Sequence, residues 1–134
     1  MAIFSIGIDL SEVDRIARLI DRYGERFVRR VFTEKEIAYC RPRANAAHSY
    51  AARFAAKEAV FKATGLGLSM GMSWRDVEVV NDHRGKPSVN LFGVAAQQLA
   101  GKKVHISITH AASYAIVMIV VEDKEEKSLF GAVD

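Results

Sequence analysis

A single cysteine, Cys40, in 134 residues excludes an internal disulfide and any metal site built from cysteines. Only two prolines are present, and neither a low-complexity tract nor an internal repeat marks a boundary, so residues 1–134 are expected to form one domain. The longest unbroken apolar run, Ala115 to Val121, is far shorter than the roughly 20 residues that span a bilayer. Met1 to Gly7 lacks the basic start of a signal peptide and runs straight into a strand pattern. No membrane partner is therefore expected, and the lone thiol suits the cytoplasm. Also lacking are a phosphate-binding loop with its lysine and hydroxyl, and a serine or cysteine nucleophile with a supporting triad. A net charge of +3 and a pI near 9.1 select no partner by themselves.

What is present is organised around Arg53-Phe-Ala-Ala-Lys-Glu-Ala-Val-Phe-Lys-Ala-Thr-Gly65. Alanine-rich and apolar nearly all round, the segment predicts a packed helix over roughly Ala44 to Thr64, with Gly65 as its C-cap. Inside it, Glu58 and Lys62 share one face and are spaced for an i,i+4 ion pair, while Arg53 and Lys57 fall on another. A buried carboxylate with several cations must find partners, which is the signature of a site as well as of a core ion pair.

Upstream, Ile3 to Ile8 reads as a buried strand ending at Asp9, and Ser11 with Asp14 has capping-box spacing for a following helix. Between Arg15 and Arg30 stand six arginines against Asp21 and Glu25, a surplus of four positive charges that exceeds the +3 of the whole chain. Gly24 divides this basic segment. No aromatic interleaving supports base stacking, whereas Leu19 and Phe27 among the arginines fit an apolar contact ringed by charge, suited to an acidic protein helix. Thr33 and Glu36 form a second capping box, and Arg41 to Asn45 a basic loop. Downstream of the glycine- and methionine-containing loop to Trp74, strands are expected at Val77–Val80 and Ser88–Phe92, joined by a turn containing Gly85-Lys86-Pro87. A short helix near Val94–Ala100 and a hairpin of Val104–Thr109 with Tyr114–Val121 follow, His105 within its first strand and His110 near its tip. The charged tail from Glu122 is expected to fray.

Two carboxylates, Asp9 and Glu58, without cysteine, suit a hard cation such as Mg²⁺, which takes few protein oxygens and fills its shell with water and phosphate. Lysine and arginine beside them suit a phosphate or pyrophosphate. The residues alone stop at Mg²⁺-phosphate chemistry, and two readings stay open beside any family likeness: a Mg²⁺-dependent nucleotide hydrolase, and a basic nucleic-acid-binding module whose affinity would fall steeply with salt.

Gly7-Ile-Asp-Leu10, Arg53-Phe-Ala-Ala-Lys-Glu-Ala through Lys62, Gly85-Lys-Pro87 and Ser107-Ile-Thr-His110 occur in that order. Together they resemble the holo-acyl-carrier-protein synthase family, the small bacterial type of 4′-phosphopantetheinyl transferase, over about Ile3 to Val121. The resemblance implies an α+β fold, mainly antiparallel sheet packed on a long central helix, assembling as a homotrimer with shared active sites. It implies transfer of the phosphopantetheine arm of coenzyme A to a serine of apo acyl carrier protein in fatty acid biosynthesis, with adenosine 3′,5′-bisphosphate as the other product and no nucleic-acid partner. Asp9 and Glu58 match the family's Mg²⁺ ligands and Lys62 a lysine near the pyrophosphate, these three forming the catalytic group. Arg53, Lys62, Gly65, Lys86, Pro87 and His110 match coenzyme-binding positions. Arg15, Leu19, Arg22, Arg26, Phe27 and Arg30 match the surface that docks the carrier. Glu58 is the first candidate for the general base and Glu36 the second, while Lys57 has no assigned role.

Overall fold

The structure, a computed structural model, describes residues 2–66 and 71–124. The chain begins with strand β1 (Ile3–Glu12), followed by helices α1 (Val13–Tyr23), α2 (Glu25–Val31), α3 (Glu34–Cys40) and α4 (Ala46–Thr64). A 3₁₀ turn at Trp74–Asp76 leads into β2 (Val77–Asn81) and β3 (Pro87–Leu91), then α5 (Gly93–Gln98), β4 (Lys102–Ala111) and β5 (Tyr114–Asp123). Both sheets are antiparallel: a three-stranded one in the order β1-β5-β4, and the β2-β3 hairpin, which lies beside β4. The fold is therefore α+β. Among the described residues no helix is long and apolar enough to cross a membrane.

Helix α4 packs against β1 and β5 and is buried almost continuously from Tyr50 to Ala63. Alanine suits both of its tasks, having the highest helix propensity and a side chain small enough for backbones to approach. The closest approach is at Gly7, where a Cβ would stand 2.0 Å from the Ala59 carbonyl oxygen, so only glycine lets β1 seat against α4. Gly65, at φ 80°, adopts the left-handed conformation of a C-cap and donates its N–H to the Lys62 carbonyl.

Several boundaries differ from the sequence expectations. Strand β1 runs on past Asp9 to Glu12 because β5 offers a partner for each residue, Ser11 lying opposite Ala115 and Glu12 opposite Tyr114. Ser11 is consequently buried in the sheet rather than capping α1, whose N-cap, Glu12, makes no side-chain cap. Gly24 does break the basic segment, and the Thr33–Glu36 capping box forms with both hydrogen bonds in place. Strand β5 extends through Asp123, which pairs with Lys102 at 2.8 Å. Most of the expected fraying tail, and residues 67–70 of the loop after Gly65, lie outside the described residues.

The first strand is also not buried as its apolar composition suggests. Its α4-facing positions are Ser5, Gly7, Asp9 and Ser11, and the alternating positions Phe4, Ile6, Ile8 and Leu10 point away. Ile6 is 67% and Ile8 57% exposed, with Met118 of β5 at 49% on the neighbouring strand. These side chains form an apolar row on the sheet face turned away from α4.

Cys40 is fully buried and unpaired, and burial pushes its thiol up from 9.0 to about 11. With that value only about one thiol in a thousand is ionised at pH 8. Cys40 is therefore expected to resist a thiolate-directed disulfide reagent in the native protein and to react fully once denaturant is added, as followed by absorbance.

Candidate active site

The period-2 alternation of β1 points Asp9 at α4, and the Gly7–Ala59 contact brings it level with the last two turns of that helix. There Lys62 Nζ donates to Asp9 Oδ1 at 2.7 Å and to the Ile8 carbonyl at 3.1 Å. The i,i+4 pairing of Glu58 with Lys62 expected from the sequence is thus replaced by a pair across elements. Bonding to Asp9 raises the Lys62 pKa. Glu58 is half-buried, and its pKa is raised first by desolvation and then by the Asp9 charge, against the pull of Lys62 and Arg15. Two carboxylates that repel one another thus stand here beside two cations. Among the described residues no group of three or more His, Cys, Asp or Glu could hold a metal. That donor set fits an ion which takes one or two protein carboxylates and completes its shell with water or phosphate, as Mg²⁺ does.

The other expected coenzyme residues gather elsewhere. Arg53, Gly85, Pro87 and His110 line a cavity of about 340 Å³ together with Tyr39, Ser49 and Asn81. Arg53 is 3% exposed, donates from Nη2 to Asn81 Oδ1 at 2.6 Å, and leaves its Nε without a partner. A guanidinium so buried with an unused donor is prepared for an acceptor. His110 lies at the end of β4 opposite Ala115, just before the positive-φ turn at Ala112, and also borders a larger cavity of about 680 Å³ with Arg43, Asn45 and His48. Lys86 does not line the smaller cavity, since its backbone N–H is used within the turn, bonding to Asp82, and its side chain is exposed.

Sequence reasoning passed over Tyr39, Asn81, Arg43 and His48. Arg43 and Arg53 both place their guanidinium carbons over the Tyr39 ring, at 3.7 and 4.2 Å from its centroid. The basic loop before α4 was a usable signal for Arg43, whereas nothing local distinguishes Tyr39 from a core aromatic.

Arg53 and Lys62 are nine residues apart on α4, roughly 13 Å along its axis and about 180° around it. The carboxylate group and the cavity lined by Arg53 therefore occupy opposite sides of one helix.

On the basic segment, Arg15, Arg18, Leu19, Asp21, Arg22 and Tyr23 line a groove of about 410 Å³. Arg15 also stands close enough to Glu58 to act on its charge. Arg26 and Arg30 are exposed, but Phe27 turns inward, packing edge-on to Phe32 at 6.0 Å and near Phe54 at 6.4 Å. Phe27 and Leu19 are both half-buried against the same core cluster, each keeping part of its surface open. Arg29 is taken up by Glu25 and Glu34, and Arg41 also bonds Glu25.

Lys57 and Glu36 have a different role. Both are 0% exposed and pair at 2.7 Å, with Lys57 also donating to the Trp74 and Val77 carbonyls. Glu36 further accepts from the Thr33 and Val79 backbone N–H groups. A carboxylate so enclosed reaches no substrate, which removes Glu36 as a base.

The chain as a whole matches a known family. The model of the 4′-phosphopantetheinyl transferase superfamily matches residues 5–118, and the chain belongs to that superfamily. Within it, the chain is 45% identical to the holo-[acyl-carrier-protein] synthase of Koribacter versatilis, covering 90% of this chain and 99% of that protein. It is 48% identical to the one from Solibacter usitatus, with the same coverage. Among solved structures, a Bacillus anthracis holo-(acyl-carrier-protein) synthase in complex with CoA (3′,5′-ADP) superposes with TM-score 0.76 at 35% identity, covering 91% of this chain and 98% of that one. The Helicobacter pylori holo-[acyl-carrier-protein] synthase in complex with coenzyme A gives 0.78 at 29% identity, with 87% and 99% covered.

Proposed function

We propose that this chain transfers the 4′-phosphopantetheine arm of coenzyme A to a serine of apo acyl carrier protein, leaving adenosine 3′,5′-bisphosphate, as a cytoplasmic step of fatty acid biosynthesis. The observation that carries the reading is the meeting of Asp9 on β1 with Glu58 and Lys62 on α4, in a chain of this family. Asp9 and Glu58 are the residues that would hold Mg²⁺. When bound, that ion neutralises charge on the pyrophosphate. Lys62 reaches the same region and would stabilise charge on the phosphates, Gly65 closing the helix behind it. Arg53, through its unpartnered Nε, and His110 would take the nucleotide end, with Pro87 as a wall of the cavity. A Glu58 carboxylate oxygen would accept the serine proton as the serine oxygen attacks the β-phosphorus, and the leaving bisphosphate would carry away the pyrophosphate's other half. Positioning and charge stabilisation supply most of the rate in such transfers.

The test is direct: incubate the protein with coenzyme A, Mg²⁺ and apo carrier, and weigh the carrier by mass spectrometry. A gain of one phosphopantetheine arm is expected, and an unchanged mass would sink the proposal. Salt-sensitive retention on DNA or hydrolysis of coenzyme A without a carrier would point to the other two readings.

Arg15 would meet the acidic surface of the carrier beside its serine, with Arg22, Arg26 and Arg30 extending the field and Leu19 at the groove. Arg15→Glu is expected to raise the KM for carrier about tenfold or more and that for coenzyme A much less. Equal effects on both constants would remove the docking role.

Homotrimerisation belongs to the same proposal. It is supported by the exposed Phe4, Ile6, Ile8, Leu10 and Met118, and by the separation of the two half-sites across α4, which a neighbouring copy would complete. Ile6→Glu is expected to shift the sedimenting species from trimer to monomer and to abolish turnover, and a variant that stayed trimeric would exclude this face.

A further inference from the structure

Lys62 sits where a second cation would have to enter. Its Nζ bonds Asp9 Oδ1 and the Ile8 carbonyl, so the carboxylate proposed to hold Mg²⁺ is already partnered by a residue of the same chain. The pair is lopsided. Asp9 is 10% exposed and fixed on a strand, whereas Lys62 is 57% exposed and on a flexible four-carbon stem. Ion pairs with an exposed partner are individually weak, so this one is displaceable.

Resting on the reading of Asp9 and Glu58 as Mg²⁺ ligands, we propose that Lys62 competes with the divalent cation for Asp9 and is drawn off it by the pyrophosphate of coenzyme A. Metal and coenzyme then bind with positive coupling, the lysine acting as a placeholder. The charges support this. Asp9 and Glu58 bring two negative charges, Lys62 returns one positive, and Arg15 lies close by. A divalent ion arriving alone must displace the lysine and tolerate the nearby arginine, so it gains less than two bare carboxylates would give. A pyrophosphate arriving with the metal offers Lys62 a doubly charged acceptor within reach of its stem, and Asp9 is released to the metal. By linkage, whatever factor coenzyme A adds to metal affinity, the metal adds to coenzyme A affinity.

The experiment uses Mn²⁺ as the probe, with free ion counted by electron paramagnetic resonance, in the absence and presence of coenzyme A. Without coenzyme A, Lys62→Met is expected to bind Mn²⁺ about fivefold or more tightly than the wild type, reflecting the lost competitor. Lys62→Arg keeps a cation on Asp9 and should stay at or below wild-type affinity. Adding coenzyme A should tighten Mn²⁺ on the wild type by a larger factor than on Lys62→Met. A Lys62→Met affinity equal to or weaker than wild type without coenzyme A overturns the competition. Carrier loading by the wild type separates this from the parent reading. Loading that stops when divalent metal is chelated keeps the Mg²⁺ assignment, so an unchanged Mn²⁺ affinity then defeats the placeholder alone. Loading that persists under chelation overturns both the placeholder and the metal assignment.

Discussion

Glu58→Gln is expected to lower turnover by at least about a hundredfold at saturating coenzyme A and carrier, and to weaken metal binding, while leaving the fold intact or slightly firmer. The two halves of this result come from one cause. Burial and the neighbouring Asp9 raise the Glu58 pKa, so the ionised form is the less comfortable one in the folded chain. For a carboxyl raised in this way, any stabilising contribution exists below its ordinary value of 4.5 and is lost as pH climbs through the higher folded value. At neutral pH the charge is therefore kept against the fold's preference. Gln has the same shape without the charge, so it relieves Asp9 and removes both metal ligand and base. Thermal melts and initial rates on the same preparation check it. Full turnover at saturating Mg²⁺ and coenzyme A would disprove both roles of Glu58. A melt many degrees lower would instead show that the carboxylate is a structural ion.

The sign of that split depends on the meeting of β1 with α4, and the sequence carried only half of that meeting. The helix was legible because its alanines, its buried charges and Gly65 all act within a few residues of one another. Both hairpins were legible for the same reason, their turn formers and alternating strands being local. The pairing of Lys62 with Asp9 was not, since the i,i+4 spacing to Glu58 offers a nearer partner and nothing local reveals that Gly7 lets a strand come within reach. The exposure of Ile6 and Ile8 was likewise hidden. An apolar strand reads as buried whether its cover is the same chain or another one. Phe27 was half legible: a phenylalanine among arginines reads as a contact for a partner, and its half-buried ring also meets Phe32 and Phe54 from elements the spacing could not place. Family likeness supplied candidate site residues that propensity could not, and it was silent on Tyr39, over which two guanidiniums converge in space.

Lys57 is where the structure adds a role that the sequence left blank, and Lys57→Met is expected to cost about 3–5 kcal/mol of stability. Its ammonium is fully enclosed, bonded to Glu36 and to the Trp74 and Val77 carbonyls, so it ties α4 to α3 and to the entry of β2. Burial alone pushes the Lys57 pKa down, and the Glu36 carboxylate opposes that shift. Methionine fills similar space but leaves Glu36 charged, buried and short of one partner, which is the expensive outcome rather than the loss of attraction itself. Adding Glu36→Gln to Lys57→Met should therefore cost less than the sum of the two single changes, measured by urea denaturation as a double-mutant cycle. Specific activity per folded molecule should survive in Lys57→Met. Successive helix positions differ by about 100°, so Lys57 points into the core while Glu58 points toward Asp9. A loss below about 1 kcal/mol would mean that the ion pair is not holding α4. A variant that folded as firmly as the wild type but failed to load carrier would move Lys57 into the active site.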